Sequence, residues 1–216
     1  MRKKILMLII SGALLAAGCS KSKNNPSPSS DSYLPVTSGS SWSYNDVVNG
    51  TTSQVTLSMT GATTVFNNKT YYNGNSNSTA KGASTGYFYA ANHAYAIRAT
   101  AASVAGLTIE LQMGNDAQAA GYTWTTTPSD NGSINGVPAQ TVNTIKEKNI
   151  TKVVNGKTFT NVIHTQVDLQ YDLGTGFQSV AVYDFYLAKG VGMIETDTSI
   201  SGAPYELETI TNYNVK

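Results

Sequence analysis

The sequence is poor in the residues that build cross-links, metal sites and charged surfaces. It contains one cysteine, two histidines and only 12% charged residues in a chain of 216. With a single thiol, at Cys19, no disulfide can form within the chain, so a folded domain must rely on its apolar core. Two distant histidines without a second cysteine give no zinc-ligand spacing, and the sequence predicts no metal site and no cofactor.

The first 18 residues have the pattern of a secretory signal peptide. Basic residues at positions 2 to 4 precede an apolar stretch from Ile5 to Ala17. This stretch is shorter than the roughly 20 residues that a transmembrane helix needs. The small residues before Cys19 suit both the ordinary secretory peptidase and the lipoprotein peptidase. An ordinary core cysteine is the alternative, but the polar stretch after Cys19 could not bury its thiol.

The residues around the cysteine favour the lipoprotein peptidase. Leu15-Ala16-Ala17-Gly18-Cys19 resembles the lipobox of bacterial lipoproteins, with Ala16 where leucine is commoner. The resemblance implies that the thiol receives diacylglycerol and that cleavage leaves Cys19 as the first residue. Two or three acyl chains on one cysteine anchor a protein firmly to a membrane. Ser20, in place of an inner-membrane retention aspartate, implies the outer membrane and leaves its periplasmic and surface faces open.

Positive charge is scarce in the rest of the chain. Without the signal peptide it keeps 11 of its 14 Lys and Arg residues and all 13 Asp and Glu, a formal charge of about −2. Only Lys146, Lys148 and Lys152 lie close together. A nucleic-acid-binding protein needs a basic face to neutralise phosphates, so nucleic acid is not expected as a partner.

The chain after Cys19 divides into a tether and one domain. Residues 19–32 carry no apolar side chain after the cysteine, which predicts a lipidated, flexible tether. Residues 33–216 contain neither a second linker nor a repeat of fixed period, so they are predicted to form a single domain.

Alternation of apolar and polar residues predicts an all-β domain. Asn-Gly pairs at positions 49, 73, 131, 135 and 155 predict tight turns, because both residues tolerate positive φ. No window carries a helical apolar stripe, and 115–120 could form one helical turn at most. We expect a single antiparallel domain of about ten to twelve strands, either a β-sandwich or a strongly curved open barrel whose concave side forms a pocket. The clearest alternating runs are 54–59, 107–113, 159–171, 181–187 and 205–215.

Three segments resemble uncharacterised bacterial envelope lipoproteins. They are the opening Tyr33-Leu34-Pro35, Gly39 and Trp42-Ser43-Tyr44; the turn and strand Gly156-Lys157-Thr158-Phe159-Thr160-Asn161-Val162; and the closing Tyr186-Leu187-Ala188-Lys189-Gly190-Val191-Gly192-Met193-Ile194 with Glu206-Leu207. These are structural signatures without a reactive group, so the resemblance implies a fold and no chemistry. Some such domains are similar to the curved sheets of outer-membrane lipoprotein and lipid carriers.

Neither histidine has a recognisable catalytic partner motif. Serine-type catalysis needs a hydroxyl, a base and an orienting carboxylate. His164 is predicted on the wet face of a strand, roughly 13 Å from Asp168 at strand rise, and is interpreted as solvated. His93 shares parity with Tyr95 and Ile97 and is interpreted as a satisfied edge or core residue.

The carboxylates also lack a catalytic arrangement. Glu195 with Asp197, and Glu206 with Glu208, each project on one strand face, which allows a cation or sugar contact. A solvated strand face is the favoured interpretation of both pairs. The segment 131–142 echoes a calcium loop without its carboxylates and is interpreted as consecutive turns.

Aromatic residues are concentrated between positions 67 and 140, a region that resembles no known segment. Flat rings beside Asn, Ser and Gly could stack on sugars or peptides. The favoured alternative is that neighbouring tyrosines alternate between core and surface, as in any strand. The candidate stacking residues are Tyr71, Tyr72, Tyr87, Tyr89, Tyr95 and Trp124.

These features rank three hypotheses for the function. The first is a membrane-anchored, non-catalytic binding or structural module for a glycan, a peptide or an envelope protein. The second is a lipid or lipoprotein carrier with an apolar concave cavity. An enzyme such as a glycan hydrolase comes third, because no pattern in the sequence indicates a catalytic site.

Overall fold

The computed structural model describes residues 31–100 and 108–216. The predicted signal peptide, Cys19 and most of the predicted tether lie outside this range. No described segment is a helix long and apolar enough to cross a membrane. The described residues form thirteen strands and no helix, which confirms the all-β prediction. The strands are β1 (Ser41–Val48), β2 (Thr51–Phe66), β3 (Lys69–Ser78), β4 (Gly82–Ala91), β5 (Ala94–Thr100), β6 (Thr108–Asn115), β7 (Thr123–Thr126), β8 (Ser133–Ile134), β9 (Val137–Val154), β10 (Lys157–Asp172), β11 (Phe177–Ala188), β12 (Gly192–Ile200) and β13 (Ala203–Asn214).

The strands form one antiparallel sheet with its first and last strands paired in the middle. The order is β6-β5-β4-β3-β2-β1-β13-β12-β11-β10-β9-β7, and β8 pairs with β9. We call β1–β6 the N-terminal half and β7–β13 the C-terminal half. The sheet curls until edge strand β6 contacts β9, β10 and β11. The result is a curled half-barrel, the curved alternative of the two predicted architectures.

Asn-Gly pairs close several of the hairpins as predicted. Asn49-Gly50, with φ of 49° and 80°, joins β1 to β2, and Asn155-Gly156, with φ of 48° and 74°, joins β9 to β10. Asn73-Gly74 is the exception, because it lies inside β3. A Cβ on Gly74 would lie 2.8 Å from the ring of Phe88, so this glycine serves close packing and not a turn.

The core is most tightly packed in the C-terminal half. Its fully buried apolar residues are Ile145, Val162, Ile163, Val167, Leu187, Ile194 and Ile210. Strand β13 departs from the predicted alternation, which would bury the apolar side chains of Tyr205 and Leu207. These side chains are 38% and 40% exposed. Register explains this, because buried Tyr44 lies opposite Ile210 and buried Asp46 lies opposite Glu208. Residues of even number in this part of β13 therefore face the interior.

The segments that resemble envelope lipoproteins contact each other directly. The Trp42 indole donates a hydrogen bond to the Val191 carbonyl at 2.6 Å, and the Tyr44 hydroxyl donates to the Met193 carbonyl at 3.1 Å. Gly192 has a φ of 106° and lies against Trp42, where a Cβ would be 3.4 Å from the indole nitrogen. The opening and closing segments are thus structural partners that fix β1 against the turn before β12.

Candidate functional site

An apolar cavity of about 450 Å³ lies on the concave face of the N-terminal half. Small inward-facing residues create it: Ser76 lies opposite Ser84 in the β3–β4 pair, and Gly86 lies opposite Ala99 in the β4–β5 pair. Side chains this small cannot fill the space that the curled sheet encloses. The lining residues are Leu34, Pro35, Val36, Trp42, Tyr44, Val55, Leu57, Met59, Ser76, Ser84, Thr85, Gly86, Tyr87, Phe88, Ile97, Ala99, Met113, Gly192, Met193 and Glu208.

Glu208 is the one ionisable carboxyl group in this lining. It lies directly opposite Asp46 in the β1–β13 pair and accepts no hydrogen bond from any described residue. Burial, and then the charges of Asp46 and Glu206, raise the pKa of Glu208 to about 8. The Glu208 carboxyl group therefore keeps its proton to a higher pH than a solvated glutamate does.

Two further carboxylates and a lysine lie beside Glu208. Asp46 is 2% exposed, and its Oδ2 lies 3.2 Å from the ammonium of Lys81 and 3.4 Å from the Ser53 hydroxyl. Its Oδ1 is buried and has no hydrogen-bond partner among the described residues. Lys81 also pairs with Glu206 at 2.8 Å. The expectation that Glu206 and Glu208 form a solvated strand face is therefore wrong, because both face inward beside a buried carboxylate.

The other predicted carboxylate pair behaves differently. Glu195 forms an ion pair with Lys152 at 3.0 Å, and Asp197 is exposed on the outer face of β12. Here the solvated-face interpretation describes Asp197 and partly fails for Glu195, whose side chain is only 18% exposed.

A second cavity, of about 300 Å³ and polar, lies on the outer face of the N-terminal half under the segment 126–130. The guanidinium of Arg98 donates to both carboxylate oxygens of Asp130, at 2.8 and 2.6 Å, and lies 4.5 Å from the Phe66 ring. That hydrogen bond holds the pKa of the Asp130 carboxyl below its usual value. The Tyr71 hydroxyl donates to Glu110, and burial and this carboxylate raise the pKa of Tyr71. Arg98 Nε is buried without a partner in the described part of the chain.

The six candidate stacking aromatics do not form one surface. Tyr71 and Tyr72 point to opposite faces of β3, as in the favoured alternation. Tyr71 and Tyr95 are only 1% and 6% exposed, so neither presents a free ring face. Apart from Tyr72, the rings lie in three places. Tyr71 packs with Tyr89 and, through Phe66, with Tyr87; Tyr95 contacts Tyr33; and Trp124 stacks on Tyr122 at the opposite edge of the sheet.

The interpretation of His164 as solvated is wrong, whereas the His93 ring has a partner as expected but lies in a turn. His164 is 9% exposed, stacks on Tyr186 at 4.2 Å and contacts Asp184 and Glu147 at 2.7 and 3.1 Å, so it is not solvated. His164 keeps the outer-face parity of Gln166, with which it shares Asp184, but the Tyr186 ring covers it. His93 lies in the β4–β5 turn with a φ of 65°, and its exposed ring contacts Asp116 at 2.5 Å.

Sequence reasoning missed Asp46 and Arg98, although each left a signal. Trp42, Tyr44 and Asp46 alternate on one face of β1, which places a carboxylate on the apolar side of a strand. Arg98 follows Ile97 in a strand whose neighbour β4 carries Tyr87 and Tyr89 on the same face as Arg98. A charge within a buried alternation indicates either a partner or a binding role.

Comparisons with known proteins bear on the fold alone. No protein-family model matches the chain, and no curated protein matches its sequence. A crystal structure of a candidate lipoprotein from Parabacteroides distasonis ATCC 8503 is similar with a TM-score of 0.50 at 10% identity, covering 85% of this chain and 99% of that one. A candidate exported protein with YmcC-like fold from Bacteroides fragilis NCTC 9343 gives a TM-score of 0.48 at 8% identity, with the same coverage. The chain shares the fold of the Parabacteroides protein.

Proposed function

We propose that this chain is a membrane-anchored lipoprotein of the cell envelope that binds an apolar ligand in its concave cavity without chemically changing it. The observation that carries the proposal is the apolar cavity of about 450 Å³ on the concave face. This volume lies within the range of small-molecule sites. Aromatic and aliphatic side chains such as Leu57, Phe88 and Ile97 would contact the ligand.

The positions of the aromatics favour this carrier hypothesis over a stacking platform for sugars. The six candidate rings are divided between the outer face, the interior and the edge strand β7. A sugar platform needs neighbouring exposed rings. The cavity, in contrast, is one continuous surface that both halves of the sheet line.

The anchor is the second part of the proposal. The lipobox-like residues before Cys19 support lipidation, and the similar Parabacteroides structure is described as a candidate lipoprotein. A lipid anchor at Cys19 would hold the domain at the surface of a membrane, which is a source of apolar ligands. We propose the outer membrane as its location, because Ser20, and not an aspartate, follows the cysteine.

Titration with the neutral fluorophore N-phenyl-1-naphthylamine tests the proposal. The mature chain with Cys19→Ser avoids competition from its own lipid. Ala99→Phe adds a ring inside the cavity, whereas Thr56→Phe adds the same ring on the exposed outer face of β2. We expect saturable binding that Ala99→Phe weakens by at least about tenfold, equivalent to 1.4 kcal/mol, and that Thr56→Phe leaves unchanged.

Two outcomes would contradict the proposal: no saturable binding by the parent chain, or equal losses of affinity in the two variants.

The polar cavity around Arg98 supports a second candidate, binding of a polyhydroxyl or peptide ligand, because Arg98 Nε and the neighbouring carboxylates offer hydrogen bonds there. It would move ahead if the fluorophore failed to bind while an oligosaccharide shifted the NMR signals of Arg98 and Tyr71.

A further inference from the structure

We infer that the ligand of the concave cavity carries a positively charged ammonium head, which Glu208 binds with the neighbouring charge of Asp46 behind it. The inference rests on the proposed function and adds the chemical class of the ligand. An alkyl or acyl chain would occupy the apolar part of the cavity, and the head would lie at the Glu208 end.

The register places two carboxyl groups directly opposite each other, and Glu208 has no hydrogen-bond partner there among the described residues. Asp46 and Glu208 are direct partners on adjacent antiparallel strands and project from the same face. Side chains in such positions have Cβ atoms about 5 Å apart, so two carboxyl groups directly opposite each other cannot both ionise without destabilising the sheet. Within residues 31–100 and 108–216, one cation, on Lys81, reaches this group, and it contacts Asp46 and Glu206 but not Glu208.

The unused hydrogen-bonding capacity is the second, independent observation. Asp46 Oδ1 is buried and unpartnered among the described residues, and Glu208 lines the cavity without a hydrogen bond to them. A carboxylate whose role is only structural is normally hydrogen-bonded when it is buried. Hydrogen-bond donors are therefore what Glu208 in the cavity wall and the adjacent Asp46 lack.

The charge of the surrounding groups selects the head group. Asp46, Glu206 and Glu208 supply three carboxyl groups against the single ammonium of Lys81, and the Tyr44 hydroxyl already donates to Met193. An ammonium head brings one positive charge and three N–H donors, whereas an alcohol brings one donor and no charge. A carboxylate or phosphate head would face repulsion from Asp46 and Glu206.

Three amphiphiles of equal chain length test the inference by competition against N-phenyl-1-naphthylamine at pH 7. They are dodecylammonium and dodecanoate, each below its micelle-forming concentration, and dodecanol below its solubility limit. On the Cys19→Ser chain we expect dodecylammonium to compete about tenfold better than dodecanol, and dodecanol better than dodecanoate. Glu208→Gln should remove the preference for the ammonium while leaving dodecanol within about twofold of its parent value.

Asp197→Asn is the matched control, because it removes one carboxylate from the exposed face of the adjacent strand β12. It should leave all three affinities unchanged. Equal or better competition by dodecanoate would overturn the inference while the fluorophore binding upheld the proposed function. An ammonium preference that persists in Glu208→Gln would overturn it as well.

Failure of the fluorophore to bind would overturn the inference together with the proposed function, so the two failures are distinguishable. The ranking of the three amphiphiles on the parent chain needs no substitution at Glu208. The inference therefore stays testable even if Glu208→Gln does not fold.

Discussion

The two halves of the sheet have the same strand geometry but differ in whether side chains fill the space that the strands enclose. In the C-terminal half, facing strands carry Ile, Val and Leu that pack to complete burial, as at Ile163 and Leu187. In the N-terminal half, the facing positions of β3, β4 and β5 carry Ser, Gly and Ala, and a cavity remains. One half thus stabilises the fold, and the other keeps space open within it.

The comparison suggests where stability and binding can be changed separately. A buried side chain in a filled core cannot be shortened without leaving a void. A side chain on the wall of an existing cavity already has empty space on one side and loses fewer contacts when it is shortened. The position of a leucine, more than its identity, should decide what its loss costs.

Leu187→Ala and Leu57→Ala provide the largest expected contrast. Leu187 is fully buried, whereas Leu57 is partly exposed on the cavity wall. We expect Leu187→Ala to lower the free energy of unfolding by about 3 kcal/mol and Leu57→Ala by about 1 kcal/mol. Urea unfolding of both variants measures this. Equal losses would show that the N-terminal half is as tightly packed as the C-terminal half.

The sequence predicted the fold class because strand alternation and Asn-Gly turns are local features. Asn155-Gly156 closes its hairpin as expected since both residues can adopt positive φ. The sequence could not separate a sandwich from a curled sheet, because that depends on β6 reaching β9 to β11 across the interior. The inward face of strand β13 was predicted wrongly, because the register of this strand is set by pairing with β1, from the other end of the chain.

The candidate site was less predictable for the same reason. Glu208 has no sequence neighbour that marks it as unusual, and it gains its properties from Asp46, 162 positions earlier, through the β1–β13 pair. The cavity itself arises from small residues on three different strands. Tyr71 and Tyr95 were predicted as candidate stacking residues, but their hydroxyls donate hydrogen bonds to Glu110 and Asp116 within the structure.

The pH dependence of stability tests whether the cavity contains a carboxyl group that ionises unfavourably. The pKa of Glu208 is about 8 in the folded chain, against an unfolded value near 4.3, so the folded state binds its proton more tightly. This contribution to stability is fully present below about pH 4 and is lost as the pH rises to 8 and above. The groups that face it are Asp46, Glu206, Lys81 and Tyr44.

Glu208→Gln removes this titration and should abolish that part of the loss. We expect the variant to be more stable than the parent chain by about 2 kcal/mol at pH 9 and nearly equal to it at pH 4, after allowing for hydration through the cavity. Thermal unfolding at both pH values measures the difference, with Asp197→Asn as the control. Parallel pH profiles of parent and variant would contradict the assignment of Glu208.

The smallest contrast compares two hairpins with the same backbone geometry. Asn49 and Asn155 have φ of 49° and 48°. Replacing either with alanine therefore puts alanine in the left-handed region and lowers the free energy of unfolding by about 1 kcal/mol. The Asn155 side chain also donates to the Ile210 carbonyl at 2.9 Å and to the Thr209 hydroxyl at 3.2 Å. Asn155→Ala should therefore destabilise the chain by about 1 kcal/mol more than Asn49→Ala in urea unfolding, since it removes contacts between β13 and the β9–β10 hairpin. Equal losses would mean that these side-chain contacts add nothing to the stability of the chain, and that the C-terminal half is held together by its apolar residues alone.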